Sequence, residues 1–345
     1  MTELALRPQA PPDVLLDVND LIVHFPAGRR GLFAAPSKVH AVDGVSFRVR
    51  RGTTFGIVGE SGSGKSTTAQ AIMRLIPATS GQIIFAGDNI ADFRGERLRQ
   101  ARRKFQIVFQ DPFSSLDPRR RAGDLVREPL DLLGIGSPAE REARVSRLLA
   151  EVGLPPQAAD LFPHQFSGGQ RQRLCIARAM APEPDLIVCD EAVSALDVAI
   201  QAQILNLLKK LQRERGLTYI FISHDLGVIQ HVCDEVAVMY LGKIVEQAPA
   251  SVFFSAPRHP YSWSLVAAAA PPGALRDRLK QRYLVKGDPP SPVDPPPGCR
   301  FAQRCPFVIE KCRLQLPMLD ATGSDHYVAC LRANEIQGPD FAATA

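Results

Sequence analysis

Residues 59–67 read GESGSGKST. Gly59, Gly64, Lys65 and Ser66 occupy the defining positions of G-x-x-x-x-G-K-[ST], with Glu60, Ser61, Gly62 and Ser63 between them and Thr67 after. Glycines let successive backbone N–H groups turn inward and cradle phosphate oxygens, and a helix starting here adds its partial positive charge to the same anion. Lys65 is placed to reach β- and γ-phosphates, and the Ser66 hydroxyl to ligate Mg²⁺. Such a loop needs an acidic partner at a strand tip. The run Leu186-Ile187-Val188-Cys189-Asp190-Glu191 supplies one: four residues bury the strand and two carboxylates emerge. Asp190 is expected to hold Mg²⁺, directly or through water, and Glu191, one residue further out, to polarise the attacking water.

Two further groups could do chemistry. Ser167-Gly168-Gly169-Gln170, ahead of an amphipathic run, combines a hydroxyl, flexible glycines and a helix N-terminus. Taken alone it reads equally well as a capped helix start. Late in the chain stand Cys299, Cys305, Cys312 and Cys330. Four thiolates can hold tetrahedral Zn²⁺ or an iron–sulfur cluster, and reduced, unliganded thiols are the third reading. The spacings contain no pair separated by the ~2–4 residues usual for zinc. Cys175 and Cys189 lie in apolar periodic contexts and read as buried small hydrophobes; Cys233 is ambiguous.

The elements around these groups form a pattern. Apolar residues recur from Leu15 to Phe25 and alternate from Val39 to Val49, predicting two strands separated by the Gly/Arg/Pro stretch Pro26–Ser37. Thr53–Val58 is a short apolar strand that runs into the glycine-rich loop, and a helix is predicted from Lys65 to Ile76, stopped by Pro77. Arg94–Lys104 is dense in charge and reads as a solvated helix face. Asp185–Cys189 and Thr218–Ser223 are buried-type strands, with a helix between them carrying Ile200, Ile204, Leu207, Leu208 and Leu211 at helical spacing. Strands alternating with helices predict an α/β domain with a parallel sheet.

Composition bounds the rest. At ~150 residues per domain, 345 residues allow about two domains. The net charge of +5 is too mild to argue for nucleic-acid binding, and a single tryptophan disfavours a stacking-based binder. The apolar stretch Leu265–Ala270 falls far short of a bilayer span. The opening MTELALRPQAPPDV has no apolar core of a secretory signal, so a cytosolic protein is expected. Proline, at 29 residues, is the compositional outlier and gathers between Pro271 and Gly298, predicting a partly extended arm.

The ordered motifs resemble those of the ATP-binding cassette (ABC) family. The signature is matched by Ser167-Gly168-Gly169-Gln170. The Gln loop is matched by Val108-Phe109-Gln110, the D-loop by Ser194-Ala195-Leu196-Asp197 and the switch histidine by His224 in Phe221-Ile222-Ser223-His224-Asp225. Phe25 is the best match to the aromatic that stacks on adenine. The signature departs from the family in beginning with Phe166, where Leu is commoner, and Ala192 stands where Pro is usual; neither removes a catalytic group. The resemblance implies an ATPase with ATP and Mg²⁺, with Glu191, His224 and Gln110 catalytic and Gln110 joining Ser66 and Asp190 at the metal. It implies a phosphate-loop fold of ABC type: a RecA-like core with a mixed sheet, an antiparallel β subdomain and a helical signature subdomain over about 112–180.

VHAVDGVSF (39–47), FQDPFSSLDPR (109–119), YLGKIVEQ (240–247), PRHPY (257–261) and GDPPSPVDPPPGC look like the ATPase subunits of bacterial dipeptide/oligopeptide importers. The insertion Gly31-Leu32-Phe33 is more like the second of their two paralogous ATPases. This narrower resemblance implies a [4Fe–4S] cluster on the four late cysteines, within a small irregular Cys-rich extension. It implies a paralogous ATPase subunit or a second copy as partner, two transmembrane permeases, a solute-binding protein acting indirectly, and a peripheral place on the cytoplasmic face of the membrane. The expected organisation is an arm over 1–12, a nucleotide-binding domain over 13–255, a proline-rich arm over 256–298, the extension over 299–335 and a tail over 336–345. The competing expectations are a soluble cassette ATPase of DNA repair or translation, and an importer of nickel chelates or glutathione-like compounds. The missing coiled coil between phosphate loop and signature, and the single cassette, argue against the soluble classes.

Overall fold

The computed structural model describes residues 13–28, 37–269, 283, 285, 287–339 and 341. The expected arm 1–12, the insertion Gly31–Phe33, Pro271 and Pro272 and most of the last residues of the tail lie outside them.

Two sheets carry the fold. In the first, β1 (Val14–Pro26) pairs antiparallel with β2 (Lys38–Arg50) on one side and with β4 (Ser80–Phe85) on the other, and β5 (Asp88–Asn89) closes the far edge. The second is mixed. Its centre is parallel: β3 (Thr54–Val58) lies between β8 (Thr218–Ser223) and β9 (Glu235–Tyr240), followed outward from β8 by β7 (Leu186–Asp190) and β6 (Phe105–Val108). On the β9 side β10 (Lys243–Pro249) turns back antiparallel, and a C-terminal hairpin, β11 (Asp320–Gly323) and β12 (His326–Val328), extends the same sheet.

Both faces of the parallel strands are buried, as their unbroken apolar runs require. Leu186, Val188, Ile220 and Ile222 point to the core shared with the antiparallel sheet, with Ala69 and Ile72 of α1 (Lys65–Ile72). Their alternates Ile187, Cys189, Tyr219 and Phe221 point to the core shared with the helices. That second core includes α6 (Val198–Arg215), whose Ile204, Leu207, Leu208 and Leu211 are buried at the predicted spacing. It also includes the helical layer α3 (Ala122–Leu133), α4 (Pro138–Glu151) and α5 (Gly168–Met180). The start of α4 is fixed locally: Ser137 and Glu140 form a reciprocal capping box with Pro138 at the first turn.

The sequence expectations meet the structure with small shifts. The charge-dense run forms α2 (Gly95–Arg102), which buries no residue. Helix α1 ends at Ile72, short of Ile76: Arg74 takes a left-handed φ of 54° and turns its guanidinium to the Ile90 carbonyl at 3.0 Å. Cys175, Cys189 and Cys233 are all buried. No helix among the described residues is long and apolar enough to cross a membrane.

Candidate nucleotide site

The parallel strands β3, β8 and β7 end side by side, and each delivers a chemical group at its tip. After β3 comes the loop 59–64, pressed against the two strands that flank it. A Cβ on Gly64, where φ is +106°, would meet the Ala41 carbonyl oxygen at 2.2 Å, and one on Gly59 (φ +152°) would meet that of Met239 at 2.2 Å. Only glycine fits either place. The Gly242 N–H donates to the Ser63 carbonyl at 2.8 Å, pinning the loop from the β9–β10 turn.

Lys65, buried at the start of α1, donates Nζ to the carbonyls of Gly59 (2.8 Å) and Glu60 (2.9 Å). Burial pushes its ammonium pKa down, opposed by the carboxylates of Glu191, Asp190 and Glu60. Ser66 Oγ donates to Asp190 Oδ1 at 3.0 Å, joining the first turn of α1 to the tip of β7. Burial raises the Asp190 pKa, as does Glu191, against the Ser66 hydrogen bond and Lys65. Beyond it, Glu191 stands at φ +50°, a left-handed conformation unfavourable for a residue with a Cβ. Its N–H donates to the Ile222 carbonyl at 2.9 Å, and its Oε1 lies 3.3 Å from Nδ1 of His224, which follows β8.

The donor set fits a nucleotide with Mg²⁺. Among the described residues Ser63 Oγ is buried without a partner and Lys65 is held only by loop carbonyls, and the Ser66–Asp190 pair offers hydroxyl and carboxylate oxygens, the ligands Mg²⁺ prefers. Thr67 follows on α1. Ser61 and Gly62 lie exposed on the outer side of the loop. Phe25, 40% exposed at the end of β1, pairs with Val39, two residues before the Ala41 carbonyl that touches the loop. Gln110 is exposed beyond the end of β6.

The remaining motif residues stand apart from the loop. Ser167 caps α5, accepting from the Gln170 N–H at 3.3 Å while Gln170 Oε1 accepts from the Ser167 N–H at 2.9 Å. Ser167 and Gln170 are exposed, and among the described residues no hydrogen bond joins them to residues 59–67. Gly169 is packed so closely on α6 that a Cβ would meet Ile200 Cγ2 at 2.5 Å; Gly168 precedes it at the helix start. Asp197 caps α6 through the Ile200 N–H at 2.9 Å and is itself exposed. Both departures from the family pattern are absorbed in the core, where Phe166 and Ala192 are buried.

Other residues at this site escaped the sequence reading. The Glu60 N–H donates to the Tyr261 hydroxyl at 2.8 Å, and the Glu60 carboxylate receives Arg304 at 2.8 and 3.2 Å. Asp43 is met by His24, His40, Lys243 and Arg300. His24, His40 and Asp43 bring ligand atoms within 4.8 Å of one another, but the two cations already on Asp43 oppose a metal ion there. These partners come from segments up to 257 residues apart, with no local signal.

The iron–sulfur expectation for Cys299, Cys305, Cys312 and Cys330 is corrected. The four do line one small cavity, with Phe301, Phe307 and Ile336. Among the described residues, however, they do not form a group of three ligand atoms within 4.8 Å. Burial pushes the thiol of Cys299 up to about 11, that of Cys305 to about 12 and that of Cys330 upward. The relatives below are described as ATP-binding proteins of transporters, with no iron–sulfur indication.

Residues 42–194 match the family model "ABC transporter", and residues 245–312 match "Oligopeptide/dipeptide transporter, C-terminal region". The chain is 49% identical over 96% of its length to a probable peptide ABC transporter ATP-binding protein of Sinorhizobium fredii, 92% of which is covered. It is 47% identical over 92% of its length to the oligopeptide transport ATP-binding protein AppF of Bacillus subtilis, 97% of which is covered. Among solved structures it is similar to a dimeric post-hydrolysis state of the ATP-binding cassette MJ0796 bound to ADP and Pi. There the TM-score is 0.60 and the identity 30%, over 68% of this chain and 99% of that one. It is also similar to cbiO1 of Clostridium perfringens, part of the cbiONQ transporter complex, with a TM-score of 0.60 and 28% identity over 70% and 91% of the two chains.

Proposed function

The chain belongs to the ATP-binding proteins of ABC transporters and is an ATPase, and from that premise we propose that it energises the import of di- or oligopeptides. The observation that carries the chemistry is the convergence of Lys65, the Ser66–Asp190 pair and the Glu191–His224 pair at the adjoining tips of β3, β7 and β8. The transported class rests on the relatives named for peptide transport and on the match over residues 245–312. That match also favours the importer over a soluble cassette of DNA repair or translation.

In this reading loop N–H groups between Ser61 and Thr67 and the Lys65 ammonium hold the β- and γ-phosphates, and Phe25 stacks on the adenine. Ser66, Asp190 and Gln110 are the residues that would hold Mg²⁺, which would offset developing charge on the phosphate oxygens. Glu191 orients the attacking water and accepts its proton, while His224 holds the Glu191 carboxylate in place. Ser167, Gly168, Gly169, Gln170 and Asp197 serve the site of a facing cassette, whose exposed signature completes this one. The facing cassette is a paralogue or a second copy. Closure is passed to two permeases near Gln110 and Phe113, the latter 64% exposed, and a solute-binding protein delivers the cargo outside. The nucleotide-binding unit spans 13–255, followed by the arm to 298 and the extension over 299–335, and the protein sits peripherally on the cytoplasmic face of the membrane.

Reconstitution with peptide-importer permeases and a solute-binding protein tests the reading. Peptide uptake into vesicles that stops with Glu191→Gln is expected; uptake of nickel chelates instead of peptides overturns the cargo class.

A further inference from the structure

The cysteine-rich stretch reaches the nucleotide loop. Cys299 and Cys305 flank two arginines that both leave the extension for the cassette: Arg300 pairs with Asp43 on β2, and Arg304 pairs with Glu60 in the loop itself. Arg304 is 8% exposed in its side chain, and its two terminal nitrogens meet the two Glu60 carboxylate oxygens at 2.8 and 3.2 Å, a fork-to-fork pairing. Between the arginines Phe301 is inserted edge-on against Tyr240, whose hydroxyl accepts from Arg304 at 3.3 Å.

Glu60 is thereby tied at three points. Its N–H goes to Tyr261, its carbonyl accepts from Lys65 Nζ, and its carboxylate is held by Arg304. The carboxylate also acts electrostatically on Lys65. A free carboxylate here competes with phosphate for the lysine and repels the anion directly.

We propose that Arg304 is a positioning residue for nucleotide binding: by occupying the Glu60 carboxylate it leaves Lys65 for the phosphates, and so makes the cassette's affinity for ATP depend on a docked C-terminal extension. This rests on residues 59–67 being the nucleotide loop. It gives the extension a role at the site that needs no metal on its cysteines.

The test measures the affinity of the full-length chain for MgATP, by displacement of a fluorescent ATP analogue, with thermal melts as the folding control. Arg304→Ala is expected to weaken binding about tenfold and Arg304→Lys by less, because an ammonium keeps the charge but not the fork. The decisive variant is the double substitution Arg304→Ala with Glu60→Gln, expected to return affinity to within about threefold of the wild type, since the competing charge is gone. A packing defect alone would not be rescued this way. Unchanged affinity in Arg304→Ala, or a double variant no better than the single one, overturns the proposal. Failure of the wild type to bind MgATP instead overturns the reading of the loop.

Discussion

His224 Nδ1 lies 3.3 Å from Glu191 Oε1, across the tips of two neighbouring parallel strands. The contact is supported from the backbone: the Glu191 N–H donates to Ile222, and Ser194 donates its N–H and its hydroxyl to the Glu191 carbonyl. Four interactions thus hold a residue whose φ of +50° is unfavourable on its own. The carboxylate is aimed by the scaffold before any substrate arrives.

That aim makes Glu191 the residue whose loss should separate binding from turnover. Glu191→Gln keeps the shape and the strand-tip hydrogen bonds but cannot accept a proton. Hydrolysis should fall by about 10²-fold or more while MgATP binding persists. His224→Ala should lower turnover less, because it removes only the support. Steady-state phosphate release together with equilibrium nucleotide binding checks both; wild-type turnover by Glu191→Gln is the outcome that removes the assignment.

Lys65 and Gly64 should behave differently from Glu191. Lys65→Ala removes the buried cation opposite Asp190 and Glu191 and should abolish binding itself, since these two carboxylates then face the phosphates without it, while Glu60 stays paired with Arg304. At Gly64 a Cβ collides with the Ala41 carbonyl in a left-handed backbone conformation. Gly64→Ala should therefore displace loop and β2 together, with a stability loss of about 1–3 kcal/mol and weakened nucleotide binding. Denaturant melts and nucleotide titration read the two effects; a variant of wild-type stability would show that the contact yields freely.

Much of this was legible before any coordinates. The phosphate loop lies between an apolar strand and a helix, and the Asp190–Glu191 tip ends another apolar strand, so local pattern predicted both. The unbroken apolar runs of β7 and β8 likewise predicted buried strands. What escaped was contact between segments far apart in sequence. Nothing near Glu60 signals Arg304, and nothing near Asp43 signals Arg300. The cysteines misled for a related reason: spacing gives the number of thiols, whereas ligation depends on how their loops pack, and here they line a small cavity with Phe301 and Phe307.

The signature's isolation predicts a shared site. Ser167 and Gln170 satisfy each other at the start of α5 and remain exposed, and among the described residues no hydrogen bond joins them to this chain's own loop. In mixed dimers, Ser167→Arg in one cassette should inactivate the site built on the other cassette's Lys65. Tagged heterodimers carrying Ser167→Arg and Lys65→Ala test this. With both substitutions in one subunit, one composite site is lost at the mutant loop and the other at the partner's loop, and hydrolysis should vanish. With the substitutions split between subunits, both fall in one composite site and the other survives, so about half the activity should remain. The reverse pattern would mean that each site is contained in one chain.

Acid should loosen the chain through His259. This imidazole is buried, 1% exposed, and burial pushes its pKa down to about 4, against a smaller opposing pull from Glu246. Its Nδ1 accepts from the Tyr261 N–H at 3.1 Å, which requires the neutral ring. The folded value lies below the ordinary 6.5, so the unfolded chain binds the proton more readily. The resulting stability is complete above about pH 6.5 and is lost as pH falls toward 4, at up to roughly 1.4 kcal/mol per pH unit. Tyr261 is the residue that holds the Glu60 N–H, so the loosening should reach the phosphate loop. Urea unfolding at pH 7.5 and pH 5 should differ by roughly 2 kcal/mol more for the wild type than for His259→Asn, which cannot titrate. Equal pH sensitivity in the two proteins would place the acid-labile proton on another group.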